Sequence, residues 1–137
     1  MYDYGRGVPE DDATAVKWDT KAAEHGFAQA QYNLGVMYED GHGVPENDAT
    51  AVKWYTKAAE QGDAAAQNNL GVMYEDGHGV PQDNVMAYMW WNLAAAQGSK
   101  GAKNNKGIVQ ESMTPADISK AQTLSRECLA KDYKSCG

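Results

Sequence analysis

Apolar and small residues recur along the chain at helical spacing, and polar, glycine-rich segments separate the stretches that carry them. In one stretch Ala30, Leu34 and Met37 fall on one helical face, and residues 51–62 repeat this spacing. Residues 41–45, Gly-His-Gly-Val-Pro, interrupt the pattern, because glycine tolerates the conformation that ends a helix and proline cannot continue one. The pattern predicts two helices joined by a tight loop.

This helical hairpin recurs with a period of 36 residues. Residues 1–26 match residues 37–62 at 20 of 26 positions, and residues 27–45 match residues 63–81 at all but three. A fixed period of this length is typical of a solenoid, in which each unit buries its apolar face against its neighbours. We therefore expect one domain with four parts: a truncated first repeat at 1–26, repeats at 27–62 and 63–98, and a C-terminal capping hairpin at 99–137.

The first repeat begins inside its first helix, because Met1 aligns with Met37. Its second helix should therefore lack a hairpin partner, leaving the face with Val16, Trp18 and Ala22 partly uncovered. An exposed apolar patch favours self-association. One hypothesis is thus a structural, self-assembling segment that forms a homodimer through this N-terminal end.

Composition limits the possible partners. The chain has 12 Lys and Arg against 19 Asp and Glu, a net charge of -7. This balance argues against nucleic acid or an anionic membrane surface, which both require clustered cations. No apolar run approaches the roughly 18 residues of a membrane span, and the first residues do not resemble a signal peptide.

A resemblance to a known family rests on three segments of the repeat. They are Ala-Gln-Tyr-Asn-Leu-Gly-Val-Met-Tyr-Glu-Asp-Gly-His-Gly-Val-Pro (30–45), Ala-Val-Lys-Trp-Tyr (51–55) and Ala-Ala-Glu-Gln-Gly (58–62). The chain resembles Sel-one-like repeat proteins, a variant of the tetratricopeptide repeat with a longer inter-helix loop, over about residues 1–111. The resemblance implies an all-α, right-handed superhelical solenoid of antiparallel α-hairpins. It also implies a scaffold for protein–protein contacts, often in bacterial signalling, envelope or host-interaction settings. The compartment, bacterial cytoplasm or periplasm, stays open.

The same resemblance implies a peptide-binding concave groove lined by the first helix of each repeat. The lining residues would be Gln29, Tyr32, Asn33, Val36, Glu39 and Asp40, then Ala65, Asn68, Asn69, Val72, Glu75 and Asp76, then Asn105. Amides of the ladder Asn33, Asn69 and Asn105 suit a peptide backbone, or alternatively hold neighbouring helices together. The acidic rim favours a neutral or basic protein or peptide over an acidic one.

Other chemistry has weaker support. His42 and His78 should lie about one helical layer, about 10 Å, apart, too far to share a zinc ion with ligands at about 2.1 Å. We therefore expect no metal and no cofactor. A related disulfide-rich repeat group has been linked to β-lactam binding, but this chain lacks its regular cysteine pairs and any Ser-x-x-Lys motif. A hydrolase or β-lactam-binding protein is thus the least favoured alternative, and we expect no catalysis.

Three tryptophans recur 36 residues apart and are predicted to lie in the core: Trp18, Trp54 and Trp90. The residue that follows each of them varies, which is typical of a surface position. Tyr55 and Trp91 occupy this position, and Trp91 is a candidate partner contact.

The C-terminal hairpin departs from the repeat. Lys106 stands where Leu70 stood, which predicts that one side of this helix faces solvent. Thr114 precedes a proline and is a predicted N-cap. Cys128 and Cys136 either form a bridge after a turn near the chain's end or remain one buried and one exposed thiol.

Overall fold

The computed structural model describes residues 10–136, and all regular structure in this range is helical. The helices are α1 (Glu10–Glu24), α2 (Ala28–Asp40), α3 (Asp48–Ala59), α4 (Ala64–Asp76), α5 (Asn84–Ala96), α6 (Lys100–Val109) and α7 (Pro115–Ala130), with a 3₁₀ turn at Gln110–Ser112. The predicted all-α class is confirmed. None of the described helices combines the length and apolarity needed to cross a membrane.

The helices pair as the repeat predicts. α2 packs along α3, and α4 packs along α5. The pairs are joined through contacts of α1 with α2, α3 with α4, and α5 with α6. We call α2, α4 and α6 the first helices of their repeats, and α1, α3, α5 and α7 the second helices. A solenoid of successive helical hairpins is therefore confirmed.

Glycine and asparagine set the helix ends. Gly41 and Gly77 end α2 and α4 in the left-handed conformation, with φ of 76° and 72°. The N-cap of α3 is Asn47, whose side chain accepts a hydrogen bond from the Thr50 amide at 3.0 Å. Asp48 is the first helical residue of α3, where its negative charge favours the helix N-terminus.

The tryptophan prediction is right for Trp90, which is fully buried in the central core. Trp54 is half-buried, whereas Trp18 is 59% exposed, because no described residue covers it as the preceding repeat covers Trp54 and Trp90. The surface prediction for Tyr55 and Trp91 is wrong: they are 0% and 1% exposed. Each ring fills the interface between the first and second helix of its own repeat.

Two glycines leave the space that the rings of Tyr55 and Trp91 occupy. A methyl group at Gly35 would overlap the ring of Tyr55, and one at Gly71 would overlap the indole of Trp91. The missing side chain therefore sets how closely the two helices of a hairpin approach. The variable residue is buried because it packs on backbone, which accepts either aromatic ring.

Buried glutamines connect successive repeats at the turns between second and first helices. Gln67 is fully buried; its Nε2 donates to the Ala59 carbonyl at 3.1 Å, and its Oε1 accepts from Gln97 Nε2 at 3.0 Å. Gln97 also donates to the Gly62 carbonyl at 2.8 Å. One repeat earlier the same bonds join Gln31, Ala23, Gln61 and Gly26.

The last helix departs from the repeat. α7 packs along α5, and it has far less contact with α6 than α3 has with α2 or α5 with α4. Thr114 caps it as predicted, accepting from the Asp117 amide at 3.1 Å. Lys106 of α6 is half-buried, with Nζ 3.1 Å from Asn92 Oδ1.

The residues after α7 form a hook that returns to the middle of the array. Cys128 and Cys136 are joined by a disulfide, so the bridged alternative is the one present. Lys134 Nζ donates to the carbonyl of Glu60 at 3.0 Å, and the Tyr133 ring lies against the turn between α3 and α4. The hook thus joins the last helix to the second hairpin.

Candidate protein-interaction surface

The first helices place one set of side chains in the same register, and we call this surface the first-helix face. It contains all the residues assigned to the groove. Half-buried are Tyr32, Asn33, Val36, Glu39, Asn68, Asn69, Val72, Glu75 and Asn105; exposed are Gln29, Asp40, Ala65 and Asp76. Every one of them therefore reaches solvent at least in part.

The buried side chain of Tyr55, which was predicted to lie at the surface, contacts three residues of the first-helix face. Its hydroxyl donates to Glu39 Oε1 at 2.7 Å, and the Asn69 amide hydrogen-bonds to the same hydroxyl. Its ring lies 5.8 Å from that of Tyr32, centroid to centroid. Burial, reinforced by the hydrogen bond to Glu39, raises the pKa of Tyr55 above its ordinary value. Because the hydroxyl of Tyr55 stays protonated, it remains a hydrogen-bond donor to Glu39.

The next repeat lacks this arrangement, because Trp91 stands where Tyr55 stands. Its indole Nε1 donates to the backbone carbonyl of Asn68 at 3.0 Å and offers nothing to a carboxylate. Glu75, the counterpart of Glu39, is half-buried, and no side chain within residues 10–136 donates a hydrogen bond to it. The first-helix face therefore presents a half-buried carboxylate whose hydrogen-bond partner lies outside the described residues.

The amides on this face are engaged within the chain. Gln29 Nε2 donates to Asn33 Oδ1 at 3.0 Å within α2. Asn105 Nδ2 donates to Asn68 Oδ1 at 3.3 Å, from α6 to α4, and Asn69 reaches back to α3. Two of these bonds join neighbouring helices, which is the structural role that the sequence left open for the ladder.

Negative charge gathers at one edge of the face. Glu39 and Asp40 end α2, Glu75 and Asp76 end α4, and neither last turn contains a basic residue. A carboxylate beside the negative end of a helix dipole is unfavourable by about 0.3–1 kcal/mol. A bound cation would relieve this repulsion.

The N-terminal end exposes an aromatic ring. Val16 and Ala22 are half-buried and Trp18 is 59% exposed, with Lys21 Nζ 5.4 Å from the ring centroid. The counterpart Trp54 packs instead against the cluster formed by α1 and α2. Val16 and Ala22 pack against the same cluster as Trp54, so of the three predicted self-association residues Trp18 alone is exposed, and self-association through this end stays a prediction.

The histidines and acids do not converge. Within the part of the chain that the structure describes, no three histidine, cysteine, aspartate or glutamate side chains are grouped so as to hold a metal ion. His42 and His78 are both exposed in equivalent inter-helix loops.

Known proteins share this architecture. The Sel1 repeat family model matches residues 1–27, 28–63 and 64–99. The chain is similar to c5321, a protective antigen present in uropathogenic Escherichia coli strains displaying an SLR fold, with 35% identity and a TM-score of 0.90 over 96% of this chain and 28% of that one. It is also similar to a Sel1 repeat protein from Oxalobacter formigenes, with 41% identity and a TM-score of 0.72 over 79% of this chain and 44% of that one. The chain thus spans less than half the length of either, and no curated protein matches it.

Sel1 repeat proteins generally mediate protein–protein interactions and typically act as scaffolds without catalysis. The three matched units extend over residues 1–99, and the described helices alternate with the period of those units. The chain belongs to the Sel1 repeat family.

Proposed function

We propose that the first-helix face binds a protein or peptide partner that is neutral or basic, and that the chain itself performs no chemistry. The observation that carries this proposal is Glu75, a half-buried carboxylate without a donor from the described chain. Asp76 beside it is exposed at the negative end of α4. A lysine, arginine or backbone amide from a partner would satisfy the carboxylate.

The rest of the face fits an extended partner. Val36 and Val72 are half-exposed at equivalent positions, so they offer apolar contact repeated along the array. The rim carboxylates should accelerate association with a basic partner and make it sensitive to salt, more than they raise the final affinity.

A selection from a displayed peptide library tests this function. We expect the selected peptides to carry net positive charge. They should bind the double variant Glu75→Lys, Asp76→Lys about tenfold or more weakly than the wild type. The matched control is Glu24→Lys with Glu127→Lys, which makes the same charge change at exposed positions of second helices. Equal binding of the selected peptides to the wild type and the Glu75 variant would refute the proposal.

The exposed ring of Trp18 favours a second candidate, self-association through the N-terminal end. In that case sedimentation over a range of concentrations should show dimers of the wild type and monomers of Trp18→Glu. Monomers at every concentration for both proteins would remove this candidate and leave the first-helix face.

A further inference from the structure

Three glycines occupy the same register of the three first helices: Gly35 in α2, Gly71 in α4 and Gly107 in α6. The first two lie directly under the rings of Tyr55 and Trp91, which the following helix supplies. At Gly107 a side-chain carbon would meet no heavy atom within 4 Å. The third slot is therefore empty in the described chain.

The cause is the position of α7, which packs along α5 and does not cover α6 as α5 covers α4. Gln67 of α4 is 0% exposed, whereas its counterpart Lys103 is exposed. Ile108 is 57% exposed. The uncovered side of α6 forms an open groove of about 460 Å³ lined by Lys100, Lys103, Asn104, Gly107, Ile108 and Glu111.

The chain itself shows what such a groove accepts. In both earlier repeats an α-helix lies along this side and places one aromatic ring over the glycine. The ring reaches the backbone only because glycine has no side chain, so an alanine at the same position would keep it out. The shape of the vacant groove is thus that of a helix bearing an aromatic residue.

Charge selects the kind of helix. Lys100 and Lys103 are exposed on the groove at the positive N-terminal end of α6, and Ser99 caps that end. Glu111 lines the opposite end, and Lys106 is turned away toward Asn92 and the Tyr88 ring. Acidic side chains on the bound helix would therefore lie near Lys100 and Lys103.

We propose that the α6 groove is a second docking site, which binds an acidic amphipathic helix of a partner protein and seats one aromatic side chain over Gly107. Asn104 and Ile108 adjoin the first-helix face, but Gly107 lies on the side that faces the second helix in the other repeats. The partner differs in charge from the one proposed for the first-helix face. Failure of either site leaves the other intact.

A synthetic helix that copies the chain's own occupant provides the probe. It has the sequence of residues 47–62 with Gln61→Glu, because Gln61 contacts Gln31, the counterpart of Lys103, and it carries the ring of Tyr55, which fills the Gly35 slot. Fluorescence anisotropy of this labelled peptide should show saturable binding to the full chain. The unaltered peptide with Gln61 should bind more weakly, and a Tyr55→Ala version should bind about tenfold or more weakly.

Gly107→Ala is the decisive protein variant, since its methyl group enters open space in the free chain and occupies the position that the ring needs. It should fold and weaken peptide binding about tenfold or more. Gly101→Ala is the matched control on the same helix, where a side-chain carbon meets only Asn68 Nδ2 at 3.6 Å. It should bind the peptide as the wild type does.

Three results would overturn the proposal. One is the absence of saturable binding, and another is equal binding by the wild type and Gly107→Ala. The third is concentration-dependent self-association that Gly107→Ala abolishes, which would identify the occupant as a second copy of this chain.

Discussion

Gln97 donates a hydrogen bond to Gln67 across successive helices, and Gln67 in turn donates to the carbonyl of Ala59. Gln67 has no exposed surface, so water cannot replace either bond. We expect Gln67→Leu to lower the free energy of unfolding by about 1–3 kcal/mol, because it leaves buried polar groups unpaired. Gln97 is exposed, and Gln97→Leu should cost less. Urea unfolding followed by circular dichroism measures both changes. An unchanged free energy of unfolding in Gln67→Leu would contradict the role of Gln67 in joining successive repeats.

The same substitution should have opposite effects at two equivalent glycines. Gly71→Ala forces a methyl group into the indole of Trp91 and should destabilise the chain by about 1–3 kcal/mol. Gly107→Ala enters open space and should stabilise it by about 0.5–1 kcal/mol through helix propensity alone. Thermal melts of the two variants, side by side, would show shifts of opposite sign. Equal shifts would mean that α7 covers α6 in solution.

Alkaline pH should expose the role of Tyr55. Its pKa in the folded chain lies above the ordinary 10.0, because burial and the bond to Glu39 favour the protonated hydroxyl. Its contribution to stability is therefore complete below the ordinary value and is lost as the pH rises above it, by up to about 1.4 kcal/mol per pH unit. Tyr55→Phe should make the loss of stability between about pH 9 and about pH 11 shallower. Parallel curves for the wild type and the variant would contradict this assignment. Tyr74, whose pKa burial also raises, is present in both proteins.

Reduction of the disulfide should destabilise the C-terminal end. The bridge closes a loop with a sequence separation of 8 residues, and in the chain-entropy model a loop of that length contributes about 2–3 kcal/mol. Asp132, Tyr133 and Ser135 have φ of 54°, 67° and 57° within it, which side chains rarely adopt. A thermal melt with and without reductant measures the loss, and Cys128→Ser with Cys136→Ser should reproduce it. An unchanged melting temperature would contradict the prediction.

Charge reversal at a helix end should separate stability from binding. Asp76→Lys replaces an acid at the negative end of α4 and should stabilise the chain by about 0.3–1 kcal/mol. Asp48→Lys, the same change in the first turn of α3, should destabilise it by a similar amount. Asp76→Lys should nevertheless weaken binding of a basic peptide to the first-helix face. A loss of stability in Asp76→Lys would show that another interaction of Asp76 outweighs the dipole.

The period and the glycine–proline breaks sufficed to predict the hairpins, because they report on local backbone and on one repeating face. They did not predict the burial of Tyr55 and Trp91. The identity of the residue at this position varies between repeats, which is typical of an exposed position. Both rings instead pack on a glycine backbone that accommodates either one. The sequence does carry a signal for the buried glutamines, because Gln31 and Gln67 recur on an otherwise apolar stripe of the first helices.

The candidate site was predictable only as a set of positions. Register along the first helices identified which side chains reach the first-helix face, but not which of them have partners. That depends on the second helix: Tyr55 donates to Glu39, whereas Trp91 leaves Glu75 without a donor among residues 10–136. The repeat pattern also could not predict where α7 packs, because its position depends on contacts outside the 36-residue pattern.

The C-terminal hook changes how this array should come apart. In a chain of repeats each unit contacts only its neighbours, so an end can fray one unit at a time. Lys134 reaches the carbonyl of Glu60 across 74 residues of sequence. The last helix therefore cannot peel away while that contact holds, and the segment from α3 to α7 should unfold as one cooperative block, with fraying confined to the N-terminal side.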